Sequence, residues 1–219
     1  MINYKPTTQL VQALMMLLGF ALTTAPAEAS FHLWQVSEIY SNADGSVQFI
    51  EYSNCCGGEQ FLNSLNVELT RTGGSSFVFP SDLPVPGVQP STANTRFLVA
   101  TPGYAAAPGA VAPDYTLPSG NFFDINGDTL RLDGDAFGIC CSAAFGPGEL
   151  PIDGSSSLNF PGGTVLFNSP TNFAGQTGFV PEPMTLATMA LGLALCAGRR
   201  APRTASANVF SAEASRRHD

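Results

Sequence analysis

Apolar and polar residues alternate with a period of two along most of the chain between residues 30 and 180. The clearest case is Leu65-Asn66-Val67-Glu68-Leu69-Thr70. Successive side chains of an extended chain point to opposite sides, so this is the pattern of a strand with one buried face. Similar short runs occupy 33–40, 47–53, 76–79, 96–100, 129–132 and 164–167. Turn chemistry separates them at Asp44-Gly45, Gly57-Gly58, Gly73-Gly74, the prolines of 84–90, Pro118 to Gly120 and Asn126-Gly127, the last expected as a hairpin turn. No window of this body holds a sustained helical period. Seven or so short strands joined by loops predict an all-β fold, an antiparallel sandwich or barrel.

Both ends break the pattern. Lys5 precedes an apolar run, 10–22, and Ala27 and Ala29 flank Glu28 ahead of Ser30. A positive start, a short apolar centre and an A-x-A site are the parts of a secretory signal peptide, so 1–29 is expected to be removed by signal peptidase after Ala29. Thirteen helical residues rise about 20 Å against roughly 30 Å of hydrocarbon, which is short for a retained span. At the other end Val180-Pro181-Glu182-Pro183 is followed by an apolar stretch, 184–198, and then by Arg199, Arg200 and Arg203. An apolar helix followed by arginines reads as a stop-transfer segment with its basic residues on the cytoplasmic side. The prolines keep the motif extended and open to another enzyme.

Together the V-P-E-P tetrapeptide, the short transmembrane-type helix and the arginines resemble the PEP-CTERM sorting signal, here 180–203, followed by a polar tail, 204–219, that looks disordered. The resemblance implies recognition by an exosortase of a Gram-negative bacterium and processing near Pro181-Glu182-Pro183. It also implies transient anchoring in the inner membrane, then release or attachment at the cell surface.

Charge sharpens this picture. The chain carries a formal net charge of -8 and only 12% charged residues, about half the usual quarter of a soluble domain. Residues 30–180 hold thirteen acids against three bases, Arg71, Arg96 and Arg131, and no lysine. Phosphate binding needs clustered Lys and Arg, so nucleic acid is excluded as an expected partner, and a surface of this sign favours cations.

A second resemblance runs through the body. Val36-Ser37-Glu38-Ile39-Tyr40, Asp44-Gly45 and Gln48-Phe49-Ile50-Glu51-Tyr52 are similar, in order, to the opening of lamin-tail-like domains, an N-E-I strand followed by a D-F-I-E-L strand. Phe97-Leu98-Val99-Ala100, Gly127-Asp128-Thr129-Leu130-Arg131-Leu132-Asp133 and the segment 150–158 fall where that pattern has a core strand, a G-D-x-[VL]-x-L strand and a closing D-G-x-S-L element. Ser37 stands where the pattern has Asn, and Asn63-Ser64-Leu65-Asn66 where it has G-W. The resemblance implies an immunoglobulin-like β-sandwich over 30–163, with 164–179 as a linker to the sorting signal.

Candidate chemistry is sparse. Cys196 lies in the apolar C-terminal stretch, which leaves Cys55-Cys56 and Cys140-Cys141, an even number in an exported chain and expected as disulfides. Three pairings are open. Bonding within a vicinal pair strains the intervening peptide, so two bridges between the loops are expected, closing about 85 residues and stabilising by roughly 3 to 5 kcal/mol. A redox switch and a metal site are the alternatives, although the C-x2-C spacing of zinc sites is absent. Asp124, Asn126, Asp128 and Asp135 fall at positions 1, 3, 5 and 12 of a calcium loop, with Thr129 in place of its glycine and Arg131 in place of its aliphatic residue. A turn with solvated acids is the competing expectation.

His32 is the sole histidine of the body and no G-x-S-x-G occurs, which argues against a serine hydrolase. Glu38 and Glu51 lie on neighbouring strands, where a glycosidase would need a carboxylate pair, but solvent-facing or edge glutamates are expected. Phe77-Val78-Phe79 and Asn121-Phe122-Phe123 are expected in the core, not as sugar platforms. The expected protein is therefore an exported, exosortase-sorted component of the cell surface, extracellular matrix or biofilm. It is non-enzymatic, needs no cofactor, and uses its β-domain to bind or scaffold exopolysaccharide or a matrix protein. A calcium-assisted glycan-binding module and a surface hydrolase are the alternatives.

Overall fold

The computed structural model describes residues 31–74, 76–84, 91–134 and 138–180. Ala27, Ala29 and Ser30 of the expected signal cleavage site, Asp135 of the acidic run, and Pro181, Glu182, Pro183, Arg199, Arg200 and Arg203 of the sorting signal lie outside the described residues. Among the described residues no helix is long and apolar enough to cross a membrane.

The architecture is all-β. In chain order the strands are β1 (Trp34–Ser41), β2 (Gln48–Asn54), β3 (Glu68–Arg71), β4 (Phe77–Val78) and β5 (Arg96–Ala100). A single helical turn, α1 (Pro102–Ala105), precedes β6 (Tyr115–Thr116), β7 (Asp128–Gly134), β8 (Gly138–Phe145), β9 (Ser156–Asn159) and β10 (Thr164–Phe167). They form a six-stranded sheet in the order β10-β9-β1-β2-β5-β6 and a four-stranded sheet in the order β4-β3-β7-β8. Pairing is antiparallel except between β5 and β6.

The expected runs 96–100 and 164–167 coincide with β5 and β10, and the other expected strands overlap observed ones. β6 and β8 fall in segments where no strand was expected, and β9 in the expected closing element. The run expected from Leu65 enters its sheet only at Glu68, because Asn66 takes a left-handed backbone (φ 49°) and ends the preceding turn. Asn126-Gly127 does form a turn, with Gly127 N–H donating to the Asp124 carbonyl at 3.2 Å. It is not a hairpin, since the residues before it form no strand and instead bring Phe122 and Phe123 into the core.

The main core lies between the sheets and joins Trp34, Val36, Ile50, Tyr52 and Phe97 of the larger one to Leu69, Leu130, Leu132 and Phe145 of the smaller one. Phe97 is its hub, edge-on to Trp34 at 4.6 Å and stacked on Tyr52 at 4.7 Å. The Trp34 indole N–H finds the Glu59 carbonyl at 2.8 Å, so burying its polar end leaves no orphan donor.

One irregularity in β1 decides what lies on the far side of the larger sheet. The register between β1 and β2 slips by one residue between Val36 and Glu38, a β-bulge at Ser37. Trp34 and Val36 face the main core before the bulge and Ile39 faces it afterwards, which turns Glu38 and Tyr40 to the opposite face. There a second, smaller core forms from Tyr40, Phe49, Leu98, Ala100, Tyr104 and Val180.

That second core has its own cover. The expectation of a linker over 164–179 is corrected: residues 164–167 are β10, and 168–180 form a strap folded back on itself through the Thr171–Thr177 bridge. The reason is hydrogen bonding. The strap is polar in sequence, yet its Asn168 and Asn172 are buried because their side chains bond main-chain groups of the domain and of the strap itself.

Candidate functional site

Three carboxylates gather beneath the strap. Glu38 of β1 stands directly opposite Glu51 of β2, and Glu51 is opposite Leu98 of β5. Asp114 just precedes β6, and its carboxylate accepts from the Leu98 amide at 2.8 Å. Each of the three accepts one backbone N–H from alternate residues of the strap: Glu38 from Ser169 at 2.9 Å, Glu51 from Thr171 at 2.7 Å and Asp114 from Phe173 at 2.9 Å. An extended segment aims its N–H groups to one side at every second residue, so the strap docks on carboxylate oxygens as a strand would dock on a row of carbonyls.

The remaining oxygen valences are also used. Glu51 accepts from the Ser37 hydroxyl at 2.6 Å and pairs with Arg96 at 3.0 Å. The hydroxyls of Ser157 and Ser169 contact Glu38. The bulge is what brings the Ser37 hydroxyl onto Glu51, whose backbone carbonyl it also meets at 3.1 Å. Glu38 and Glu51 are only 1% and 0% exposed, which corrects the expectation of solvent-facing or edge glutamates.

Burial pushes the carboxyl groups of Glu38, Glu51 and Asp114 above their ordinary range, and for Glu51 the neighbouring Glu38 charge adds to the effect. Arg96 is the nearby cation, and its own side chain is 46% exposed. Chemically this is a latch. Neither glutamate opens to a cleft in which a glycosidic bond or an attacking water would lie between two free carboxyl groups.

The strap is clamped at its far end by one residue. The Asn168 side chain donates to the carbonyls of Ser155 at 2.8 Å and Val180 at 3.0 Å, and accepts the Val180 N–H at 2.8 Å. Val180, the first residue of the expected sorting motif, is thus bonded through both backbone groups and buried in the second core. Asn168, Ser169, Thr171 and Asp114 were not singled out in the sequence. The available signal was the polar run Asn168-Ser169-Pro170-Thr171-Asn172, which also fits a solvated linker.

Among the described residues of the acidic run, Asp124 and Asp128 turn to different partners. Asp124 accepts from the Asn126 N–H at 2.9 Å in a local turn. Asp128 turns inward to accept the N–H groups of Thr72 at 2.9 Å and Asp124 at 3.0 Å, and it lies 3.3 Å from Arg71. Among the described residues no group of three or more His, Cys, Asp or Glu side chains is placed to hold a metal ion. The Asp128 carboxylate ties the loop leaving β3 to the loop entering β7, at one end of that strand pair. Asp128→Asn is expected to lower stability by about 1 kcal/mol, the scale of one charge-assisted hydrogen bond weakened to a neutral one. Urea unfolding of the variant checks this.

The cysteines are arranged differently from the expectation of bridges between loops. Cys55 is bonded to Cys56 in the loop after β2, while Cys140 and Cys141 of β8 are free thiols. Cys140 and Cys141 pack inward toward β1, where the Cys140 thiol meets the Phe31 carbonyl at 3.2 Å and the Trp34 carbonyl at 3.5 Å, so each vicinal pair occupies its own environment. Phe79, Phe122 and Phe123 are buried core residues. No family model matches the chain, and no curated protein matches it.

Proposed function

We propose that the chain is an exported, exosortase-sorted surface or matrix protein of a Gram-negative bacterium, whose lamin-tail-like, immunoglobulin-type sandwich works by binding or scaffolding. The observation that carries the reading is the strap. Both backbone groups of Val180 are bonded to Asn168 of the strap, and Pro181-Glu182-Pro183 follows this clamped residue directly in the sequence. A folded domain that ends at its sorting motif is what a surface module requires: processing at that motif removes the apolar stretch 184–198 and the arginines without cutting into either core. Thirteen acids against three bases over 30–180 support an exterior location, where such a surface meets cations and polysaccharide.

The role is non-enzymatic in this reading, because the oxygens of Glu38 and Glu51 are committed to the strap, Ser37 and Arg96. The test is to express the full chain in Gram-negative cells with and without an exosortase and to read both termini by mass spectrometry. The expected mature protein begins at Ser30 and ends near Pro181-Glu182-Pro183 only when the exosortase is present. Surface material that keeps an intact 204–219 tail overturns the proposal.

A further inference from the structure

Cys140 and Cys141 share one side of β8 although neighbours on a regular strand point to opposite sides. The cause is a bulge: the register between β7 and β8 shifts between Leu132 and Asp133, so that Leu132 pairs with Cys141 and Asp133 with Ile139, leaving Cys140 as the extra residue. The Cys140 thiol reaches toward the Cys141 sulfur as its donor. They open into a pocket of about 300 Å³ walled by Val36 of β1, by Ala143, and by Phe160 and Pro161, with no charged side chain in its lining. Behind them the Tyr52 hydroxyl is fully buried, has no hydrogen-bond partner, and lies within electrostatic range of both sulfurs.

From this juxtaposition we propose that Cys140-Cys141 is a dithiol exchange site for small uncharged organic disulfides, with Cys141 as the nucleophile and Cys140 as the resolving thiol. The roles follow from the contacts. The single S–H proton of Cys140 is shared among the Phe31 carbonyl at 3.2 Å, the Trp34 carbonyl at 3.5 Å and Cys141, all of them acceptors, so Cys140 stays a protonated thiol. Cys141 receives hydrogen bonds from Cys140 and from the backbone at Leu132 and Val36, which stabilise its thiolate and hold it below the usual thiol range. The Cys141 thiolate attacks one sulfur of the disulfide R–S–S–R, forming a Cys141–S–S–R bond and releasing one R–S⁻, which takes up a proton. The Cys140 thiol then loses its proton and attacks the Cys141 sulfur, closing a Cys140–Cys141 disulfide and releasing a second thiol. Two electrons pass from the dithiol to the substrate, and no further reactant is needed. The neutral pocket wall selects against charged disulfides, and the acidic body disfavours anionic ones most.

The test uses the full chain carrying Cys196→Ser, with hydroxyethyl disulfide as the neutral probe and glutathione disulfide as the anionic one. Hydroxyethyl disulfide is expected to remove both free thiols of the folded protein and to give a Cys140–Cys141 linkage on peptide mapping, at least tenfold faster than glutathione disulfide. Cys140→Ser is expected to stop at a stable mixed disulfide on Cys141, whereas Cys141→Ser reacts at least tenfold more slowly. Emission of the single tryptophan, Trp34, reports whether each variant is folded, and Cys140→Ala and Cys141→Ala replace any serine variant that is not. Equal rates for the two single variants, or reaction only after unfolding in urea, overturns the proposal.

Discussion

Replacing Glu51 with alanine is expected to lower the unfolding free energy of the β-domain by about 2 kcal/mol, chiefly the cost of leaving a buried donor without its acceptor. Two partners lose their acceptor together, the Thr171 amide and the Arg96 guanidinium, while the Ser37 hydroxyl keeps the backbone carbonyl of residue 51. Arg96 contributes less, because its half-exposed side chain recovers water. Thr171 contributes more, since its partly buried N–H has no second acceptor in the strap and an unsatisfied donor costs about 1–3 kcal/mol. Glu51→Gln keeps the volume and one carbonyl oxygen for Thr171, so it is expected to fall between the two. Urea unfolding followed through Trp34 emission measures all three proteins, and equal midpoints for wild type and Glu51→Ala would show that the strap contributes nothing to stability.

The second expected result is a stability that declines as pH rises from the mildly acidic range toward neutrality. Glu38, Glu51 and Asp114 have folded-state pKa values above their unfolded ones. Between those two values the folded state holds more protons than the unfolded chain, so the unfolding free energy falls with rising pH. Each group contributes at most about 1.4 kcal/mol per pH unit inside its own window. Asp44, Asp124 and Asp153 have depressed values and act in the opposite sense, losing stability only below the ordinary carboxylate range. A maximum in mildly acidic solution follows. Glu38→Gln is expected to flatten the decline and to raise stability at pH 7 to 8, because it removes the desolvation of a buried carboxylate. Its carbonyl still accepts from Ser169, and its amide faces the Ser157 and Ser169 hydroxyls. Thermal melts from pH 4.5 to 8 test the sign; a stability that rises with pH for wild type rejects the assignment.

Strands built on runs of large apolar residues are legible in the sequence, and one built on small residues is not. Arg96–Ala100 and Thr164–Phe167 stand where the pattern put them. Gly138–Phe145 reads Gly-Ile-Cys-Cys-Ser-Ala-Ala-Phe, where small residues and a bulge erase the period, so the strand became visible only through its pairing with β7. β1 carried its signal in plain view: Trp34 and Val36 are two residues apart, but the next core residue is Ile39, three further on. That slip predicts a bulge and an outward Glu38. It does not predict burial of Glu38, because burial comes from a strap more than a hundred residues later in the chain. The strap was illegible for the same reason. Asn and Ser are as suited to a solvated linker as to bonding buried carboxylates, and only the partners decide between the two.

The clamp on Val180 also sets how the domain meets a mechanical load. Tension applied to the chain beyond Val180 falls first on the pair of hydrogen bonds to Asn168, then on Gly178 and Phe179, whose N–H groups reach Pro170 and Gly109. These bonds are met in succession from the loaded end, so the strap peels without shearing the sheet. Released to full extension, residues 168–180 add about 40 Å of reach at roughly 3.3 Å per residue, while Trp34 and Phe97 stay packed between the two sheets. The strap is therefore a stored length of tether that lets a held domain give under force before its main core is strained.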